Sequence, residues 1–260
     1  MKHDYLDSLF GLSEQTAIVV GGTGVLGGAL ADGLAAAGAF VVVAGRNAER
    51  GEARVSAICE AGGQGCFLAV DAVERKSIEG LLSKTLNTRG SADILVNCAG
   101  VNSSIPYAEI PDDDWDRVLN TNLKSTHIGC QIFGSHMATA GGGAILNIGS
   151  VSADKPLSKV FAYSASKAAV VNYTQNVARE FATKDVRVNV LCPGFFPAEQ
   201  NRKILSPERI SQIMGQTPMD RFGNPDELIG AAILLCSRNA GSFITGTSIY
   251  VDGGFTGMRI

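Results

Sequence analysis

Thr16-Ala17-Ile18-Val19-Val20 runs directly into Gly21-Gly22-Thr23-Gly24-Val25-Leu26-Gly27-Gly28 and then into Ala29-Leu30-Ala31-Asp32-Gly33-Leu34. An apolar, strand-forming run, a glycine-rich turn and a helical run follow one another without a gap. Gly22, Gly24 and Gly27 fit Gly-x-Gly-x-x-Gly. Glycine lets a backbone turn sharply and approach a pyrophosphate, whose charge is stabilised by the free N–H groups at the start of the helix. Gly21, Gly22, Thr23, Gly24, Val25 and Leu26 are therefore candidates for holding a dinucleotide. A plain tight turn with close helix–sheet packing is the competing reading. A Walker-type ATP loop is excluded, because no Gly-Lys-Ser/Thr closes the motif.

Outward from this turn, short apolar segments recur at 40–44, 66–70, 93–97, 144–148, 186–192 and 248–251, which with 16–20 predicts seven strands. Stretches with helical spacing lie between most of them, at 27–37, 49–61, 77–88, 115–138, 163–183 and 225–236. Strand–helix alternation predicts a single α/β domain over 1–260: a doubly wound, seven-stranded parallel sheet of the Rossmann type, covered by helices on both faces. Ligands bind such sheets beyond the carboxyl ends of the strands. Functional side chains are thus expected just after the apolar runs.

The 260 residues, 45% apolar and 18% charged, suffice for one substantial core. A net charge of -3 with no long basic run argues against a nucleic-acid partner. Lys2, His3, Asp4 and Asp7 break any signal-peptide core, and no stretch approaches the ~20 apolar residues of a membrane span, so a soluble, cytoplasmic protein with no membrane partner is expected. Cys59, Cys66, Cys98, Cys130, Cys192 and Cys236 are scattered, with no Cys-x-x-Cys pair, and read as buried thiols rather than disulfides or a metal site. His127 and His136 read as packing or surface groups, and Trp115, Phe133 and Phe181 as core or interface residues.

The second strand ends in Gly45-Arg46-Asn47, with no acidic residue to bind the ribose 2′-hydroxyl of NAD. Arg46 instead offers a planar cation to the 2′-phosphate of NADP, the alternative being an exposed loop arginine. Asp71, after the third strand, could accept from an adenine amino group or simply start a helix. Tyr163 and Lys167 stand four apart on a helical segment and so share one face. A phenol titrates near ~10 and a neighbouring ammonium favours its anion, so this pair could exchange a proton with an alcohol or carbonyl. Ser150, after the fifth strand, could hydrogen-bond the reacting oxygen. It lies in no Gly-x-Ser-x-Gly turn and has no evident histidine partner, which disfavours a serine hydrolase.

These residues, with Asn97-Cys98-Ala99-Gly100, Asn120-Thr121-Asn122-Leu123, Tyr163-Ser164-Ala165-Ser166-Lys167, Pro193-Gly194 and the terminal Thr245-Gly246 through Val251-Asp252-Gly253-Gly254, closely resemble the short-chain dehydrogenase/reductase family in its classical branch. The resemblance spans nearly the whole chain. It implies Tyr163 as general acid/base, Ser150 as the group orienting the substrate oxygen, Lys167 as the residue that lowers the tyrosine pKa and holds the nicotinamide ribose, and Asn122 as support for a water in the proton relay. It also implies cofactor contacts from Asn97, Ala99, Gly100, Pro193 and Gly194, and a homotetramer. Val20 replaces the usual threonine and Val25 the usual second glycine, so the loop path around the pyrophosphate is expected to differ slightly. Cys98, in place of asparagine, is expected to alter local stability rather than chemistry.

After Pro193-Gly194 the family carries a lid over the substrate, here at about 195–217. Phe195, Gln200 and Arg202 from this segment join Ser150, Ser152 and Tyr163 as substrate-facing candidates, with Arg202 or Lys203 suited to a carboxylate and Gln200-Asn201 to sugar hydroxyls. A solvated loop that never touches substrate is the other reading. Lys155 and Lys159 add positive charge near the expected pocket. The wording of the segment is similar to sugar-acid dehydrogenases of the fructuronate reductase or mannonate oxidoreductase type. The expectation is an NADP-preferring oxidoreductase, with NAD possible, that moves a hydride between nicotinamide and a secondary alcohol or ketone of a sugar or sugar acid. A 3-ketoacyl thioester reductase and a non-catalytic NADP-binding sensor or scaffold are the alternatives. A nucleotide-sugar epimerase is disfavoured because the chain lacks the length for a second substrate domain.

Overall fold

Every residue of Thr16–Val20 is buried, because its two faces serve two cores. Ala17 and Val19 pack on one side with Val41, Val43, Ile94 and Val96, against helical residues such as Leu30, Leu34 and Ile58. Ile18 and Val20 pack on the other with Val42, Leu95 and Ile145, against Ile78, Leu81, Ile128 and Phe133. The period of two along the strand thus feeds both layers.

The computed structural model describes residues 2–196 and 206–257. Its strands are β1 (Thr16–Val20), β2 (Phe40–Gly45), β3 (Gln64–Ala69), β4 (Ile94–Asn97), β5 (Gly143–Ile148), β6 (Val186–Pro193) and β7 (Ser248–Val251). The helices among the described residues are α1 (Lys2–Phe10), α2 (Val25–Ala36), α3 (Ala48–Glu60), α4 (Arg75–Arg89), α5 (Asp112–Leu119), α6 (Ser125–Met137), α7 (Phe161–Phe181), α8 (Pro207–Met214) and α9 (Ile229–Cys236). The strands form one sheet in the order β3-β2-β1-β4-β5-β6-β7, parallel throughout, as the alternation predicts. The order reverses between β1 and β4, which opens a crevice at their carboxyl ends.

Several boundaries differ from expectation for physical reasons. β3 spans 64–69 rather than 66–70, because Gln64 and Gly65 pair in register with Phe40 and Val41 of its neighbour whatever their polarity. The helix expected at 115–138 begins three residues earlier, where Asp112, Asp113 and Asp114 favour a helix N-terminus, and is interrupted by a π turn at Asn120–Lys124. α1 and α8 were not foreseen. The cysteines divide: Cys130, Cys192 and Cys236 are buried, Cys66 and Cys98 half-buried, and Cys59 exposed, so burial describes half of them. Phe133 is fully buried, whereas Trp115 is 37% exposed. Among the described residues no helix is long and apolar enough to cross a membrane.

Candidate active site

The turn after β1 depends on its glycines. Gly21 has φ +89°, and a Cβ there would stand 2.6 Å from the Ala99 nitrogen, so only glycine lets the ends of β1 and β4 lie together. A Cβ on Gly27 would stand 2.3 Å from the Gly21 carbonyl oxygen, so α2 starts directly against the turn. Gly24 is the N-cap of α2 and provides no side-chain cap, which leaves the first N–H groups of the helix to an external anion. A Cβ on Gly24 would meet nothing nearer than 3.4 Å, so the space above it is open.

That space is a groove of about 250 Å3, walled by Thr23, Gly24, Arg46, Asp71, Ala99 and Gly100 among others. An uncapped helix start under an open glycine floor, with a cation at the lip, fits a dinucleotide. Arg46 is exposed there, while Asn47 turns away to cap α3, accepting from the Arg50 N–H at 2.8 Å. The Asp71 carboxylate accepts from the Val73 N–H at 3.2 Å, bracing the groove wall. Four further predicted contacts differ in where their side chains are placed. Gly22 is buried beneath Val43, Val25 begins α2 facing solvent, and Leu26 packs on the core. Asn97 points to the opposite side of β4, donating to the Asn147 amide oxygen at 2.9 Å in a buried layer, so its side chain is structural.

The chemistry-bearing residues come from three elements. Ser150 follows β5 and caps a short 3-10 turn, accepting from the Ser152 N–H at 3.1 Å. The Ser152 hydroxyl donates to the Ser150 hydroxyl, also at 3.1 Å, from a buried position. Tyr163 and Lys167 lie on the first two turns of α7, and the Ser150 side chain is within hydrogen-bonding reach of the Tyr163 hydroxyl. Lys167 Nζ donates to the Ile148 carbonyl at 2.7 Å and lies 5.7 Å from the centre of the Tyr163 ring.

Asn122 occupies the π turn, a local widening of the helix frequent at functional sites. Its amide clamps the chain after β4: Oδ1 accepts from the Val101 N–H at 2.8 Å, and Nδ2 donates to the Val101 carbonyl at 3.0 Å and to Ser166 Oγ at 3.0 Å. The fully buried side chain thus braces the groove wall.

Burial dominates the electrostatics. It pulls the Lys167 ammonium down to about 8 and pushes the Tyr163 phenol above its ordinary value, with Ser150 opposing the rise. Cys98 lines the groove and interacts with Lys167; burial raises its thiol to about 11. The substituted position thus lies in the groove wall.

Ser150 and Tyr163 also line a cleft of about 830 Å3, closed on its far side by Phe195 and Phe196 and by Arg209 and Gln212 of α8. Gly194 lines it too, while Pro193 stays within the sheet, paired with Val251. Phe195 is held edge-on to Phe255, with ring centroids 5.2 Å apart. Gln200, Asn201, Arg202 and Lys203 lie outside the described residues. Arg209 was missed, although Ser206-Pro207-Glu208 is a legible helix start: a capping serine, proline at the first position and an acid in the first turn. Lys155 pairs with Asp154 at 3.3 Å, whereas Lys159 lines the cleft. His127 Nδ1 is hydrogen-bonded to the Tyr173 hydroxyl at 2.9 Å, a packing role.

Comparison with known proteins agrees with this geometry. The family model adh_short_C2, described as enoyl-(acyl carrier protein) reductase, matches residues 23–256. The chain is 37% identical over 265 residues to the uncharacterized oxidoreductase UxuB of Bacillus subtilis (strain 168), covering 94% of this chain and 95% of the relative. It is 34% identical over 249 residues to the gluconate 5-dehydrogenase of Gluconobacter oxydans (strain 621H), covering 95% and 97%. The crystal structure of a gluconate 5-dehydrogenase from Burkholderia cenocepacia J2315 in complex with NADP and tartrate superposes with a TM-score of 0.93 at 31% identity, over 98% of this chain and 100% of that one. With its glycine turn, its Ser150, Tyr163 and Lys167 set and these relatives, the chain belongs to the short-chain dehydrogenase/reductase family, oxidoreductases that act on CH–OH groups.

Proposed function

We propose that the protein is an NADP-preferring dehydrogenase/reductase that interconverts a secondary alcohol of a sugar or sugar acid with the corresponding ketone. The observation that carries this reading is a junction. Ser150 and Tyr163 line the cleft, while Lys167 Nζ would lie 3.7 Å from a Cβ built on Gly100, a residue of the groove. The dinucleotide, when bound, supplies or accepts the hydride. In the reductive direction the Tyr163 hydroxyl gives its proton to the carbonyl oxygen, and in the oxidative direction it takes that proton back. Ser150, oriented by Ser152, holds the same oxygen by a hydrogen bond. Lys167 stabilises the phenolate left behind and presents its remaining N–H donors towards the groove. Burial keeps Tyr163 protonated at neutral pH, the form that reduction requires.

Preference for NADP is supported by Arg46 at the groove lip and by the absence of an acid at the end of β2. The sugar-acid class is supported by the named relatives and by the polar residues that share the cleft walls with apolar ones, among them Asn102, Ser104, Ser158 and Gln212. The test is a panel of hexonates, ketoses, polyols and 3-ketoacyl thioesters, followed by nicotinamide absorbance with each cofactor. Turnover of a hexonate or its keto form with NADP(H) is the expected result. Turnover confined to the thioesters would overturn the substrate class.

A further inference from the structure

We infer that Arg209, assisted by Lys159, is the residue that recognises a substrate carboxylate, and hence that the cleft is built for hydroxylated monocarboxylates rather than neutral polyols. The inference rests on the reading above and deepens it. Arg209 lies on the first turn of α8 and lines the same 830 Å3 cleft as Ser150 and Tyr163. Its guanidinium is held from both sides through a single nitrogen: Nη1 donates to Ser158 Oγ at 3.2 Å and to Gln212 Oε1 at 3.3 Å. Among the described residues Nη2 and Nε make no hydrogen bond, so the remaining edge of a pre-oriented fork is available to a planar anion.

Lys159, exposed and with φ +64°, projects from the loop that carries Ser158 and lines the cleft as well. Its backbone is fixed by the Ile105 N–H, which donates to the Lys159 carbonyl at 3.0 Å. One acid opposes the two cations. The Glu208 carboxylate also lines the cleft, but hydrogen bonds from its own N–H and from the Ser206 hydroxyl hold it at the helix start and keep its pKa below the ordinary carboxylate value. Two cations against one engaged carboxylate leave a net positive wall facing the Ser150–Tyr163 pair. A polyol would gain no charge pairing from that wall, whereas a monocarboxylate with hydroxyls along its chain would use both ends of the cleft.

The test compares gluconate with glucitol, an acid and a neutral polyol of equal carbon number, on the NADP-loaded protein. KM and kcat are measured with each, and gluconate binding is measured by calorimetry. Arg209→Gln should raise the gluconate KM and weaken its binding at least about tenfold, the scale of a lost charge-assisted pair, with kcat within about twofold and the glucitol KM unchanged. Arg209→Lys should recover part of the affinity, since it keeps the charge and loses the fork. Lys159→Gln should show a smaller loss in the same direction.

Unchanged gluconate binding in Arg209→Gln, with the wild type still oxidising gluconate, would overturn the inference and leave the proposed function standing. Equal losses on gluconate and glucitol would also overturn it, by showing that Arg209 only positions α8. A wild type that neither binds nor oxidises gluconate yet turns over 3-ketoacyl thioesters would remove both readings together.

Discussion

Lys167 Nζ donates to the main-chain oxygen of Ile148 at 2.7 Å, tying α7 to the carboxyl end of β5 two residues before Ser150. One hydrogen bond thus fixes the proton-handling helix against the strand that delivers the serine. It also buries an ammonium, with Lys167 only 5% exposed, and burial draws its pKa from 10.5 to about 8.

A depression of that size corresponds to roughly 3 kcal/mol of stability given up while the amine is charged. The folded pKa lies below the unfolded one, so the penalty is complete below pH 8 and is relieved as pH rises from about 8 to 10.5. Lys167→Met should therefore unfold at a higher temperature relative to wild type at pH 7 than at pH 10, while losing activity throughout. A difference in Tm that is the same at pH 7 and pH 10 would show that the folded amine keeps its ordinary pKa and stays charged.

Arg46→Asp replaces the cation at the lip of the groove with an acceptor for a ribose hydroxyl. NADP affinity should fall by about tenfold or more and NAD affinity should rise, as read by fluorescence titration of each cofactor. Unchanged NADP affinity would mean that another group reads the 2′-phosphate.

Gly27→Ala sets a Cβ against a backbone oxygen 2.3 Å away, and main chain cannot swing aside as a flexible side chain would. The cost should be about 1–3 kcal/mol or more in denaturant unfolding, accompanied by weaker cofactor binding, because the strained atom belongs to the turn itself. Full stability with weakened binding would separate the two roles of the turn.

Asn122→Ala removes the clamp on Val101 and leaves a half-buried N–H and carbonyl without their partner. Stability should drop by about 1–3 kcal/mol and cofactor KM should rise, since Gly100 and Val101 wall the groove. A variant with wild-type stability and a loss in kcat alone would instead assign Asn122 to proton transfer.

The sheet was legible because β1, β2, β4, β5 and β6 are buried on both faces and read as continuous apolar runs. β3 begins two residues and ends one residue earlier than expected because it is an edge strand whose half-exposed positions follow the register of β2 rather than their own polarity. The Tyr163, Lys167 and Ser150 set was legible from local spacing and strand ends. The buried layer that the Asn97 side chain shares with Asn147 was not legible, because it joins positions 50 residues apart on neighbouring strands. The clamp formed by Asn122 and the placement of Arg209 depend on contacts across 21 and 51 residues of chain, which no local pattern records.

The central claim is that the Tyr163 hydroxyl carries the proton that accompanies hydride transfer. The most direct measurement is kcat/KM for a turned-over sugar acid in Tyr163→Phe, beside the NADP dissociation constant of the same variant. The account predicts a loss of at least about 100-fold in kcat/KM with NADP affinity within about twofold of wild type. Turnover at the wild-type rate in Tyr163→Phe would contradict it.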